Sequence, residues 1–221
     1  MPLPKAILFE LPVTMDTMMR QTNGHKPVPN LHALVANRFA QSAAVPEKFF
    51  TAEADNIAQA CWAMAKRFHR HGRLLAFGNG SRATDAQHLS VEFVHPVIVG
   101  KRALPALALT NDSALLSGLS QQGLNFAHQL RLLARPQDMA MAFFAADDGR
   151  DANILAALTE AQEIGLLTLG LTNAGIVQPN LDFCFVVPSD DAMIVQETHE
   201  TLYHILWELV HIFFEHEGLL V

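Results

Sequence analysis

The stretch RLLAFGNGSRATDAQHLSVEF, residues 73–93, decides how this sequence folds. It opens with a short apolar run, Arg73–Phe77, turns at Gly78 and Gly80, and continues as a helical pattern. A run so short and so uniformly apolar is typical of a strand that is buried on both faces. The glycines let the chain turn tightly, and the helix that follows presents its free N–H groups to the turn. The stretch therefore predicts a strand, a ligand-binding turn and a helix in succession.

Four further apolar runs alternate with longer helical stretches along the rest of the chain. They are Ala103–Leu109, Met139–Ala145, Leu166–Leu171 and Phe183–Val187. This alternation predicts an α/β fold in which a five-stranded parallel sheet is flanked by helices on both faces. Ligands of such sheets bind outside the carboxyl ends of the strands. The polar turns that follow the five runs are therefore where we expect the functional residues.

The chain before the sheet has two different patterns. Apolar residues recur at helical spacing over Leu31–Ala44 and Glu47–His71, which predicts an N-terminal pair of helices with a break at Val45-Pro46. Residues 1–30 hold five of the eleven prolines and show no sustained helical period, so we expect an irregular arm that could cross a neighbouring subunit. Residues 31–221 are expected to form a single domain that ends in a long helix.

Composition excludes several classes of function. A chain of 221 residues supports one buried core, and its 17% of charged residues lies below the roughly 25% of average domains, so we expect apolar surface that meets another subunit. The net charge of −7 disfavours nucleic acid as a partner. Cys61 and Cys184 form no CxxC motif, which argues against a disulfide framework and fits a reducing cytoplasm. No apolar run is long enough to predict a membrane span.

Residues 77–93 and three later segments together form a recognisable set of motifs. The later segments are LPALALTND at 104–112, LTLGLTN at 167–173 and VPSDDAMIVQETHETLYHILWEL at 187–209. Together these motifs resemble the sugar isomerase (SIS) domain family, in the branch of bacterial phosphoheptose isomerases and the DnaA initiator-associating protein, and the resemblance covers residues 31–209. It implies a homotetramer, or a dimer, with active sites between subunits. It also implies a sugar phosphate ligand and, in the isomerases, conversion of sedoheptulose 7-phosphate to a heptose 7-phosphate.

The resemblance also implies a set of metal ligands and catalytic residues. The implied ligands, with zinc the expected ion if one is held, are His88, Glu92, Gln196 and His204. Glu92 is the expected base, and His204 the expected proton donor and acceptor. The spacing of His88 and Glu92 places both on one helix face. Gln196 and His204 are about 12 Å apart along a helix axis, so either Gln196 lies in a distorted first turn or both side chains reach towards each other. His199 and Tyr203 are competing candidates.

The implied substrate-binding residues lie in three turns. They are Asn79, Gly80, Ser81 and Arg82 after the first strand, Asp112 after the second, and Asp148 and Gly149 after the third. Asp112 is equally well placed to cap a helix from Ser113. Arg82 stands where the family has a serine, and carboxylates replace the family's hydroxyl groups after the third strand. We therefore expect an altered phosphate site.

Two hypotheses about function follow from these residues. The first is a metal-assisted aldose–ketose isomerase of a sugar or sugar phosphate. The alternative is a non-catalytic SIS module that binds a partner protein or senses a sugar derivative, because the altered turns are joined by an unusually apolar final helix, Leu202–Phe214. Nucleotide chemistry is disfavoured because the glycine turn lacks the GxGxxG spacing and no Walker lysine follows it.

Overall fold

A computed structural model describes residues 30–119, 125–145, 151–173 and 180–220. Within these ranges the chain forms five strands and six α-helices, followed by a short 3₁₀ turn at Glu217–Leu219. The strands are β1 (Leu74–Gly78), β2 (Ala106–Ala108), β3 (Met139–Phe143), β4 (Leu167–Asn173) and β5 (Phe183–Val187). The helices are α1 (Leu31–His69), α2 (Ser81–Val94), α3 (Ser113–Leu119), α4 (Asn125–Leu133), α5 (Ala152–Ile164) and α6 (Ala192–Glu215).

The five strands form one parallel sheet in the order β2-β1-β3-β4-β5. This confirms the predicted α/β fold with helices flanking a five-stranded parallel sheet. The predicted runs match the strands to within three residues at each end. β2 is shorter than its run because it lies at the sheet edge and follows Pro105, which has no N–H to donate and contributes only its carbonyl to Leu74 N at 2.9 Å.

Alternate residues of each central strand pack into two separate cores, one on each face of the sheet. In β1, Leu74 and Ala76 join the core that α1, α2 and α6 cover, whereas Leu75 and Phe77 join the core that α4 and α5 cover. The doubly covered sheet explains why β1 and β3 are buried at every position rather than at every second one, and why β4 is buried along most of its length although it contains Thr168 and Thr172. It also places α2 and α6 on the same face, where they pack against each other.

The predicted N-terminal helical pair is wrong in one respect, because α1 is a single helix of 39 residues with Pro46 inside it. A proline removes one helical hydrogen bond and costs roughly 3 kcal/mol inside a helix. The apolar spacing, however, continues across it: Val45 packs against the core, and Phe49 and Ile57 are buried on the same side. We infer that this burial offsets the cost of the proline, so the break expected at Val45-Pro46 does not form.

The chain divides into two compact units, Met1–Ala40 and Gln41–Val221. Of the first unit only residues 30–40, the start of α1, belong to the described part, so the predicted arm over residues 1–30 lies almost wholly outside it. The predicted boundary between residues 30 and 31 stays a prediction. None of the helices in the described ranges combines the length and the apolar character that a membrane crossing needs.

Candidate active site

Helices α2 and α6 bring three of the predicted site residues together. One ligand atom each of His88, Glu92 and His204 lies within 4.8 Å of the others. The rings of His88 and His204 have their centroids 5.3 Å apart, and His88 Nε2 is 3.2 Å from Glu92 Oε1. Glu92 is nearly buried, with 15% of its side chain exposed, whereas His204 is exposed to solvent. Two segments that are distant in sequence therefore form one cluster within a single chain.

The chemistry of this cluster suits a divalent metal ion. Two neutral imidazoles and one carboxylate form a donor set that zinc commonly takes in catalytic sites, with a fourth position left for water or substrate. The i, i+4 spacing of His88 and Glu92 on α2 holds two of the donors on one helix face. The three residues therefore fit a divalent metal ion.

Tyr203 contacts the cluster from behind. Its hydroxyl oxygen lies 2.7 Å from His88 Nδ1, and its ring is fully buried. Burial raises the pKa of the Tyr203 hydroxyl, and the nearby carboxylates of Glu200 and Asp85 add to that effect. The hydroxyl therefore keeps its proton at neutral pH. Tyr203 was a competing candidate ligand in the sequence; in the structure its hydroxyl forms a hydrogen bond with His88, one of the predicted ligands.

Gln196, the fourth predicted metal ligand, makes a different contact. Its Nε2 donates to Asp85 Oδ1 at 2.9 Å. A distorted first turn of α6 is not what the structure has, because the helix is regular from Ala192 and is capped by Asp191, which accepts from Met193 N. The role of Gln196 as a metal ligand stays a prediction.

A cleft of about 580 Å³, counting its open mouth, lies at the first turns of α2 and α6, beside the carboxyl ends of β3 and β4. Its lining residues are Ser81, Arg82, Asp85, Ala145, Asn173, Asp190, Ala192, Val195, Gln196 and His199. Among these, Arg82 is the one side chain with a permanent positive charge. Asp85 lies one helical turn before His88 on α2, so the cleft and the cluster share a helix face. His88, Glu92 and His204 are not among the lining residues, and α2 is the element that the cleft and the cluster share.

Asp85 is a site residue that sequence analysis missed. It is 2% exposed and lines the cleft beside Gln196. Burial raises the pKa of its carboxyl group, although the hydrogen bond from Gln196 opposes that change. The available signal was its position three residues before His88, which places both on one face of the helix.

His199 is buried beside the same cleft. Its Nε2 lies 3.2 Å from the carbonyl oxygen of Thr172, to which it donates. Burial lowers the pKa of His199 to about 4, and the positive charge of Arg82 acts in the same direction. The ring is therefore neutral at pH 7 and gives the cleft no second positive charge.

Some residues of the glycine turn after β1 stabilise the turn, and others line the cleft. Asn79 donates to Asp151 Oδ1 at 2.9 Å and to Asn153 Oδ1 at 2.8 Å, which ties the turn to the start of α5. Gly80 has φ 58° and ψ −127°, a conformation that residues with a side chain rarely adopt. Ser81 and Arg82 line the cleft. Of the four residues predicted to bind substrate in this turn, the last two are thus the ones at the cleft.

Asp151 is a second residue that sequence analysis did not place in the site. Its carboxylate is buried, accepts a hydrogen bond from Ala145 N at 2.8 Å, and lies 3.6 Å from Arg82 Nη1. It therefore neutralises part of the charge of Arg82. Because the N–H of Ala145 already donates to Asp151, it is not available to an anion at the end of β3.

The predicted substrate-binding residues in the turns after β2 and β3 have different outcomes. Asp112 Oδ1 accepts a hydrogen bond from Leu115 N at 2.8 Å, so its helix-capping role at α3 is confirmed, and its contact with substrate stays a prediction. Asp148 and Gly149 lie outside the described residues, so their predicted role stays a prediction as well.

Comparison with known proteins identifies the family to which this chain belongs. The family model of the SIS domain matches residues 39–173. The chain belongs to the SIS domain family. A phosphoheptose isomerase of Solidesulfovibrio magneticus is 39% identical over 84% of this chain and 93% of its own length. This likeness over most of both proteins places the chain in the phosphoheptose isomerase branch, as the sequence motifs predicted.

Solved structures show the same likeness at the level of the fold. Phosphoheptose isomerase GmhA from Neisseria gonorrhoeae superimposes with a TM-score of 0.73 at 27% identity, covering 82% of this chain and 98% of that one. A phosphoheptose isomerase from Francisella tularensis gives 0.75 at 27% identity, covering 83% and 99%. The SIS fold predicted from the sequence is therefore confirmed.

Proposed function

We propose that this protein is a metal-dependent aldose–ketose isomerase that acts on a phosphorylated seven-carbon sugar of the sedoheptulose 7-phosphate type. The observation that carries the proposal is the convergence of His88, Glu92 and His204 from two helices onto one point, with a cleft lined by earlier residues of the same two helices. The names of the relatives support the substrate class, since the 39%-identical protein is a phosphoheptose isomerase.

His88, Glu92 and His204 are the residues that would hold the metal, with Gln196 as a further candidate. Their donor set favours zinc. When bound, such an ion polarises the carbonyl and hydroxyl oxygens of the sugar and so makes the C–H group next to the carbonyl more acidic.

Isomerisation moves one proton between C1 and C2 through an enediol, and the chain supplies a group for each transfer. Glu92 is nearly buried, and its carboxylate takes the proton from one carbon and returns it to the neighbouring carbon. His204, from the opposite helix, exchanges the proton between the two oxygens. The reaction is then balanced, because no proton or electron is lost or gained overall.

Arg82 is the proposed anchor for the phosphate group. It is the permanently charged cation among the described residues that line the cleft, but Asp151 lies 3.6 Å from it. At an effective dielectric near 20, a phosphate dianion about 5 Å from a carboxylate is repelled by on the order of 6 kcal/mol. The phosphate therefore binds to Arg82 from the cleft side, away from Asp151, which agrees with the altered phosphate site expected from the sequence.

The alternative of a non-catalytic module has less support. The altered turns and the apolar final helix were its two motives, yet Leu202, Leu206 and Val210 of α6 are buried in the core of this chain. Packing within the chain thus accounts for much of that apolar character. A homotetramer or dimer and a cytoplasmic location remain part of the proposal.

The direct test is to mix metal-loaded protein with sedoheptulose 7-phosphate and follow heptose 7-phosphate by ¹³C NMR. Removal of the base in Glu92→Gln is expected to lower kcat at least about 100-fold. Glu163→Gln on α5, which changes an exposed carboxylate on the other side of the sheet, serves as the matched control and should keep parental activity. A metal-loaded parent that converts no sugar phosphate, or a Glu92→Gln variant as active as the control, would refute the proposal.

A further inference from the structure

Tyr203 is built into the structure in a way that the isomerase reaction does not use. Its ring is fully buried and meets the ring of His88 edge-on, with centroids 5.3 Å apart and an interplanar angle of 79°. Phe143 packs against it from the sheet, with centroids 6.2 Å apart. The ring is thus fixed on several sides, and its hydroxyl is held 2.7 Å from His88 Nδ1.

This contact determines which nitrogen of His88 faces the cluster. Nδ1 is occupied by the Tyr203 hydroxyl, whereas Nε2 lies 3.2 Å from Glu92 Oε1. Nε2 is therefore the nitrogen that is available to a metal ion. Without an ion, one proton assignment satisfies all three groups: the hydroxyl donates to Nδ1, and Nε2–H donates to the carboxylate of Glu92.

If Nε2 held a metal ion, the hydrogen bond at the other nitrogen would be reversed. A coordinating nitrogen carries no proton, so the proton of a neutral imidazole then sits on Nδ1. A hydroxyl group can accept as well as donate, and Tyr203 can therefore accept from Nδ1–H without moving. A phenylalanine ring of the same shape could do neither.

We propose that Tyr203 is a positioning residue of the metal centre: its hydroxyl fixes the orientation of His88 and accepts the Nδ1 proton in the metal-bound state. The inference rests on the metal centre of the proposed function. Removal of such outer hydrogen-bond partners commonly weakens metal binding 10- to 100-fold. The same loss is expected here, because Nδ1–H would be left without a partner beside a buried ring.

The test is zinc affinity, measured by competition with a chromophoric chelator, for the parent and for Tyr203→Phe. The matched control is Thr198→Val, which removes another buried hydroxyl from α6, one that donates to Ile194 O and does not touch His88. We expect roughly 10- to 100-fold weaker zinc binding in Tyr203→Phe and less than about twofold change in the control. Melting temperatures of the metal-free proteins show whether either substitution disturbs the fold.

A His88→Ala background separates positioning from a general effect on packing. If Tyr203 acts through His88, Tyr203→Phe causes no further loss of zinc affinity in that background. Parental zinc affinity in Tyr203→Phe, or an equal loss with and without His88, overturns the inference but leaves the proposed metal centre intact. A parent that binds no zinc instead refutes the metal centre itself, and the inference with it.

Discussion

The buried imidazole of His199 makes the stability of this protein depend on pH in a predictable way. Burial lowers the pKa of His199 from 6.5 to about 4 in the folded chain, while the unfolded chain exposes the ring to water and restores the ordinary pKa. Between these values the unfolded state binds a proton that the folded state does not. The stabilisation is therefore complete above pH 6.5 and is lost as the pH falls towards 4.

The size of the effect follows from the two pKa values. Their difference corresponds to about 3 kcal/mol of unfolding free energy in full. Proton linkage distributes it so that about 2 kcal/mol is lost by pH 5 and about 3 kcal/mol near pH 4. Such a loss is a large fraction of the roughly 5–15 kcal/mol by which domains are stable.

Urea unfolding of metal-free protein at a series of pH values between 7.5 and 4 measures this contribution. Other groups titrate in the same range, so the informative quantity is the difference between the parent and His199→Gln, whose side chain at 199 does not titrate. The parent should lose about 2 kcal/mol more than His199→Gln by pH 5. Substitution of the exposed His95 by Gln should keep the parental pH dependence. If parent and His199→Gln lose stability in parallel, the buried neutral imidazole is not present in solution.

Three further substitutions test the turn, the buried carboxyl and the phosphate anchor. Gly80→Ala should lower the free energy of unfolding by about 1–2 kcal/mol, because the φ of Gly80 is positive; steric overlap plays no part, since no atom lies near an added Cβ. Gly118→Ala is the control, because Gly118 lies in a helix with equal space around it and its substitution should cost nothing. An equal loss in both variants would contradict the argument. Asp85→Asn should raise the melting temperature at pH 8, because burial disfavours the charged carboxylate and so raises its pKa. The gain should vanish below about pH 4, where the carboxyl group is protonated in both the folded and the unfolded chain. A gain that is independent of pH would count against this cause. Arg82→Gln should raise KM for a sugar phosphate about 10- to 100-fold; an equal rise for the unphosphorylated sugar would show that Arg82 does not contact the phosphate.

The fold could be predicted from the sequence because burial on both faces leaves a simple signal. β1 and β3 are apolar at nearly every position, and polar turns follow them in the sequence. The predicted helix break at Pro46 is wrong, because burial of neighbouring residues such as Phe49 outweighs the tendency of proline to interrupt a helix. Local sequence does not contain the tertiary energy that decides such a case.

The candidate site could be predicted only in part. Helical spacing predicts that His88 and Glu92 lie close together. Their proximity to His204 depends on α2 and α6 lying on the same face of the sheet, and only the family resemblance predicted that. Spacing could have placed Asp85 on the helix face of His88, but neither its burial nor that of Asp151 can be inferred from residue type and spacing. Their burial follows from packing between elements that are distant along the chain.

The central claim is that α2 and α6 together form one metal centre beside the cleft. Anomalous diffraction at the zinc absorption edge, from crystals of protein loaded with one equivalent of zinc, tests it most directly. A single strong peak within bonding distance of His88 Nε2, the Glu92 carboxylate and the His204 imidazole is the expected result. Zinc bound at another place in the molecule, with His88 and His204 making no contact to it, would contradict the claim.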